Sequence, residues 1–359
     1  MISILLLARQ IVGPSALRSV AIVAISAAVL NGTAQAQPFE LVGSRARGMG
    51  GAFVAVADDA TATWWNPAGL PATLVFDAVL DWNVGTFIPD GDRPIEEAGS
   101  PGKASALTLA ATLPVAGLSY TRWQTAVVAR APAAPGDGSR EDDRTAQSAR
   151  SLRAHQFGVS LAQSLGDALV VGVTPKVIRG TVSVLPARGG TVDEILEAVG
   201  EQDGRSTTRA DVDAGALLRL HRWRFGLAGR NLAAPEFEGD DGAGVRQSRR
   251  VRAGVAFAAE ADRAGRQPWM VAFDADLTRD AEAPGGAWRG IAAGAERWFA
   301  DRRVGVRAGV QASTAGQART AATAGVSLAI PGGLWIETAV QAGGEQSRRG
   351  WGLTAHLMF

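Results

Sequence analysis

Trp351-Gly352-Leu353-Thr354-Ala355-His356-Leu357-Met358-Phe359 closes the chain, and its period of two decides the fold. Trp351, Leu353, Ala355, Leu357 and Phe359 share one face, while Gly352, Thr354, His356 and Met358 share the other. A strand with one apolar face and a terminal aromatic residue suits a lipid-facing barrel wall. Its outer face meets hydrocarbon, its inner face meets water, and the last ring rests at the interface. Trp351, Leu353, Leu357 and Phe359 are therefore read as the signal presented to the barrel-assembly machinery.

The same alternation recurs upstream. Phe76, Ala78, Leu80, Trp82 and Val84 oppose Asp77, Asp81 and Asn83. Val212 to Leu220 oppose Asp211, Asp213 and Arg219, Val271 to Leu277 oppose Asp274 and Asp276, and Val304 to Val310 oppose Arg307. A soluble sandwich also alternates. Two features favour a barrel. Charges keep to one face, as they must where a lipid-facing Arg or Lys costs about 2–4 kcal/mol at mid-bilayer. Connections also alternate in length: short at 113–117, 164–167 and 220–222, long at 89–103, 130–150, 186–209 and 233–247. Short periplasmic turns and long outer loops are the habit of outer-membrane barrels. The expectation is an all-β, transmembrane antiparallel barrel of about fourteen strands. Trp288 to Phe299 is its least defined strand, because both faces carry apolar residues and Glu296 and Arg297 compete for the inside. Thr191 to Gly200 reads as a short loop helix with a Thr cap and a terminal Gly, either capping the barrel mouth or folding on its own loop.

Mean hydropathy is +0.06, too polar for a bundle of membrane helices. The one strongly apolar stretch, Val20 to Leu30, is shorter than the roughly 20 residues a spanning helix needs. Arg9 and Arg18 precede it and Ala34-Gln35-Ala36 follows, which is the pattern of a secretory signal peptide cut before Gln37. The protein is thus expected in the bacterial outer membrane. Cysteine is absent, so neither disulfides nor thiolate metal sites arise. Net charge is +1, which gives no global field for nucleic acid. All basic residues but Lys103 and Lys176 are Arg, a side chain suited to the phosphates of lipopolysaccharide and equally a mark of GC-rich coding.

Before the first alternating run lie Gly43-Ser44-Arg45-Ala46-Arg47-Gly48-Met49-Gly50-Gly51-Ala52-Phe53-Val54-Ala55-Val56-Ala57-Asp58-Asp59-Ala60 and Trp64-Trp65-Asn66-Pro67-Ala68-Gly69-Leu70. Two separated motifs in this order resemble the N-terminal signature of the FadL/PorV superfamily of outer-membrane barrels. The resemblance covers about 28 residues; beyond them the chain matches in architecture only. It implies a hatch inside the lumen, with Gly48, Met49, Gly50, Gly51, Asp58, Asp59, Asn66, Pro67 and Ala68 as its motif. The expected division is a signal peptide over 1–36, the hatch over 37–73 and the barrel over 74–359.

The superfamily offers two roles. FadL-type members pass hydrophobic compounds, and PorV-type members serve protein secretion and surface attachment without transport. For passage, Phe53, Trp64 and Trp65 are candidate ligand-lining residues. Pro175 interrupts the run Leu169 to Val177 and lacks a ladder N–H, so it could kink or open the wall, or simply mark a bulge. The polar inner face is a poor lining for an acyl chain, but a hatch inside a barrel suits a gated passage, so passage of a small hydrophobic compound is the leading expectation and the non-transporting scaffold the alternative. Expected partners are outer-membrane lipid and lipopolysaccharide, the assembly machinery, and a hydrophobic ligand or secretion partner. No hydrolase elbow, P-loop, zinc signature or dinucleotide fingerprint occurs, so neither an enzyme nor a cofactor is expected. His155, His221 and His356 fall on separate elements, and no metal site is assigned.

Overall fold

The structure, a computed structural model, describes residues 41–73, 75–87, 101–130, 147–187, 189–240, 242, 244–260, 268–280, 287–316, 319–344 and 348–359. The leader expected over 1–36 lies outside these residues.

The wall begins with β1 (Asp77–Phe87), β2 (Gly102–Leu113), β3 (Ala116–Arg130), β4 (Gln147–Leu165), β5 (Leu169–Ala187), β6 (Arg205–Leu220) and β7 (Trp223–Arg230). A small hairpin follows, β8 (Glu236–Glu238) and β9 (Gly244–Arg246). The wall resumes with β10 (Arg250–Ala258), β11 (Trp269–Asp276), β12 (Gly290–Phe299), β13 (Val304–Ser313), β14 (Thr320–Ile330), β15 (Leu334–Gly343) and β16 (Arg348–Met358). Fourteen of these strands close a ring in which β7 pairs with β10 and β16 returns to β1. The seam runs antiparallel from Asp77↔Met358 to Phe87↔Arg348. Closure gives every wall strand a neighbour on both sides, as hydrocarbon demands where an unpaired N–H or C=O costs several kcal/mol.

The alternation read from the sequence is the alternation of the wall. Leu80, Leu109, Phe157, Phe273, Val310 and Leu353 stand outward and exposed, while Asp81, Asp274, Arg307 and Thr354 point inward and are buried. The register of β12 is now fixed. Glu296 faces inward and is buried. Arg297 faces outward near the short turn at 300–303, its guanidinium 5.1 Å from the centroid of the Phe299 ring. Trp288 stands outside the strand, in a lone bridge with Asp280.

The loop helix α3 spans Val192–Glu201 with a reciprocal cap: Glu194 N donates to Thr191 Oγ1 at 3.4 Å and Thr191 N to Glu194 Oε2 at 2.9 Å. Two parts of the expectation need correcting. The helix does not cap the mouth; Val192, Leu196 and Val199 pack on Ala126, Val128 and Ala149, residues on the outward side of β3 and β4. Gly200 is not the terminator either. It lies inside the helix, where a methyl group would meet Gln124 Nε2 at 2.6 Å. The β8–β9 hairpin instead reaches the inward side, with Phe237 buried against Gly180.

Candidate functional site

Residues Leu41 to Leu70 are almost wholly buried, and their partners are inward-facing side chains from all round the ring. Two short helices shape the segment, α1 (Ser44–Gly48) and α2 (Ala62–Trp65), followed by a 3-10 turn over Pro67–Ala72. The wall's carboxylates serve as acceptors for its backbone. Asp81 accepts from Gly43 N at 2.8 Å and Ser44 N at 3.2 Å, Asp274 Oδ2 from Phe53 N and Val54 N at 2.9 Å each, and Asp77 from Ala60 N at 3.1 Å. Amides of so irregular a segment have no ladder partner, and each would cost roughly 1–3 kcal/mol if buried unbonded.

The glycine run gives close approach. Gly50 has φ +69°, and a side chain there would lie 2.7 Å from the Val310 carbonyl oxygen. Gly48 O accepts from Thr323 Oγ1 at 3.0 Å, and Gly51 O from Arg252 Nη1 at 3.3 Å. Met49 is fully buried.

Asp58 and Asp59 join an ionic network that the sequence places only in part. Arg45, within the segment itself, binds Asp58 at 2.5 Å, Asp59 at 3.1 Å and Glu296 at 2.7 Å; Arg224 of the wall reaches Asp58 at 3.2 Å. Arg307 binds Glu296 at 2.7 Å and Glu337 at 3.4 Å. Burial pushes the Asp58 carboxyl up, but Arg45 and Arg224 outweigh it and hold the group below the usual range. For Asp59 burial prevails over Arg45 and the group is raised.

The three aromatic candidates are taken up by packing. Phe53 and Trp65 meet edge to face at 5.8 Å, and Trp65 Nε1 donates to Val42 O at 2.9 Å. Trp64 lies under the Arg230 guanidinium, 3.5 Å from its ring centroid.

Asn66, Pro67 and Ala68 lie against one sector of wall. Asn66 Oδ1 accepts from Ala68 N at 3.1 Å, which fixes the turn, and Nδ2 donates to Val54 O at 2.9 Å and Ala216 O at 3.2 Å. Only glycines fit behind it: a methyl group at Gly172 would fall 2.4 Å from the Pro67 carbonyl carbon, and one at Gly215 would fall 1.9 Å from Asn66 Oδ1.

That sector contains Pro175, and there the wall is interrupted. The β4–β5 ladder pairs Gly158↔Lys176 and resumes at Leu161↔Val173, leaving Val159, Ser160, Thr174 and Pro175 unpaired across it. The other side stays paired, Pro175↔Val212. Ser160 and Thr174 hydroxyls close the inner side at 2.7 Å. Next to the break, buried Lys176 binds Asp213 at 2.6 Å, Asp211 at 3.1 Å and Asn231 Oδ1 at 2.9 Å. In sequence Lys176 stands out only as one of two lysines; its inward parity, facing the inward acids Asp211 and Asp213, was the available signal of this role. Among the described residues, no group of three or more His, Asp or Glu side chains is placed to hold a metal ion.

The model of the family described as "F plasmid transfer operon, TraF, protein" matches residues 61–276. The chain belongs to this TraF family. The TraF-family match takes in the inner segment from residue 61 onward and the wall from β1 to β11. Solved structures resemble the TraF-family barrel over nearly its whole length. The CymD monoaromatic hydrocarbon channel is 14% identical, with TM-score 0.58, covering 90% of this chain and 99% of that one. The Ralstonia pickettii toluene transporter TbuX is 14% identical, with TM-score 0.52, covering 89% and 99%. A Pseudomonas aeruginosa FadL homologue is 12% identical, with TM-score 0.54, covering 91% and 100%. The TraF-family chain therefore has the fold of a FadL-type outer-membrane barrel, as its motifs implied. No curated protein matches the chain.

Proposed function

We propose that this protein sits in the outer membrane and passes small hydrophobic compounds sideways through its wall beside Pro175, under control of the Asn66-Pro67-Ala68 turn. One observation carries the reading: the only skipped rungs of the β4–β5 ladder lie where this turn backs the wall. A compound leaving there would enter lipid without crossing water, and the inner segment would have to shift to admit it. The similar structures described as a monoaromatic hydrocarbon channel and a toluene transporter support the ligand class. The test is uptake of radiolabelled toluene by cells expressing Pro175→Val, which restores the missing N–H. Slower uptake at equal barrel abundance is expected; uptake equal to wild type refutes the lateral route.

A second reading is a non-transporting scaffold, in which the long loops hold partners of a secretion or DNA-transfer apparatus. The tightly packed inner segment and the transfer-operon description of the family favour it. Loss of conjugative transfer in a deletion strain with unchanged toluene uptake would select this reading.

A further inference from the structure

Two arginines flank a histidine on the outside of the wall. Arg122 pairs in register with His155, and His155 with Arg179, on β3, β4 and β5. All three alternate in phase with outward apolar residues, and each is the next outward position beyond Tyr120, Phe157 and Val177 towards the long loops. They therefore mark the upper edge of the lipid-facing belt, on the side that faces the outer leaflet. Tyr120 Oη lies 2.8 Å from His155 Nδ1 and holds the ring against the wall. Arg153, one outward position higher, is tied to Gly200 O of α3. Among the described residues no carboxylate pairs with Arg122 or Arg179.

Immediately below runs an apolar groove of about 510 Å³ on the same outer face. It crosses the seam, from Leu334 and Leu357 over Ala78 and Ala111 to Tyr120 and Phe157. Small side chains form its floor where the surrounding belt carries Leu and Phe. The groove thus ends at the two residues that sit directly under the Arg122–His155–Arg179 row.

We infer that Arg122, His155 and Arg179, with the groove beneath them, form a binding site for a phosphorylated lipid of the outer leaflet. Guanidinium groups would clasp the phosphate in bidentate fashion, and an acyl chain would fill the groove. Both halves are needed for this occupant: a soluble anion has no use for the groove, and a neutral lipid has none for the row. The site is on the outside of the wall and is independent of any passage through it.

The test uses the full mature protein in detergent, with lipid retention read by native mass spectrometry. The probes are diphosphoryl lipid A, the same lipid after dephosphorylation, and inorganic phosphate. Arg122→Gln/Arg179→Gln should lower lipid A retention by about tenfold or more, since it removes both guanidinium groups that would hold the phosphate. Ala111→Phe should lower it with every charge intact, by filling the groove. Arg205→Gln, an exposed arginine that pairs with Glu238 at 3.2 Å, should leave it unchanged. Equal retention of the dephosphorylated lipid by wild type, or full retention by the double variant, overturns the inference. Displacement of lipid A by inorganic phosphate, with Ala111→Phe silent, would make this a soluble-anion site and overturn it too. Should the double variant fail to assemble, the comparison of the two lipids on wild type decides.

Discussion

Asn66 of the inner segment donates through Nδ2 to the carbonyl of Ala216 on β6, 3.2 Å away, and so ties the turn to the wall at the sector where the ladder is broken. The bond spans 150 residues and is one of two that this amide makes to backbone carbonyls. Asn66→Ala should leave both carbonyls short of a donor, at about 1–3 kcal/mol each. The expected outcome is a looser segment with an intact ring. Limited proteolysis and single-channel conductance check it: higher conductance at unchanged electrophoretic heat-modifiability is expected.

Glu296 holds two arginines at once, Arg45 and Arg307, each at 2.7 Å. Glu296→Gln leaves both guanidinium groups buried beside a neutral amide. Breaking a buried pair in this way costs about 3–5 kcal/mol. Thermal unfolding of the purified barrel should show a lower midpoint. Glu296→Asp, which keeps the charge, should lose less.

The two faces of β13 differ in their tolerance of charge. Val310 is outward and exposed, and Arg307 inward and buried. Val310→Arg should destabilise the barrel in lipid by about 2–4 kcal/mol. The same variant should cost far less in a small-headed detergent micelle. Equal losses in both media would deny the lipid-facing role of this face.

Phe359 exchanges two backbone hydrogen bonds with Phe76, N to O at 2.9 Å and back at 3.3 Å, and its ring is exposed. Substitution to alanine keeps the backbone bonds and removes only the ring. Phe359→Ala should therefore refold normally in vitro. In cells the amount of folded barrel should fall, which is the outcome expected if this ring is part of the signal presented to the assembly machinery. Fractionation followed by quantification of folded and unfolded forms checks this.

The wall was legible because its chemistry has a short period. Asp81, Asp274 and Arg307 alternate with Leu80, Phe273 and Val306, and a two-residue period survives any loop length. The inner segment was legible only through motif resemblance, since Gly48 to Ala68 has no period at all. Its partners were not legible. Asp274 reads as an inward charge in sequence, but nothing local says that it accepts from Phe53 and Val54, some 220 residues away. Helix α3 was found by its cap, while its place on the outer side depended on Ala126, Val128 and Ala149, outward residues on strands that outrun the belt. Glu296 was ambiguous because Arg297 is as polar; Arg45 and Arg307 resolve it from inside.

Ser44 has a consequence for biogenesis. Its backbone and hydroxyl reach Asp81 on the first strand, and its hydroxyl accepts from Thr354 on the last at 2.8 Å. A residue that precedes both strands in the chain thus laces the two ends of the sheet together from within. Seating of the leading segment and closure of the seam therefore share the same hydrogen bonds, and a barrel without Ser44 would lose part of both.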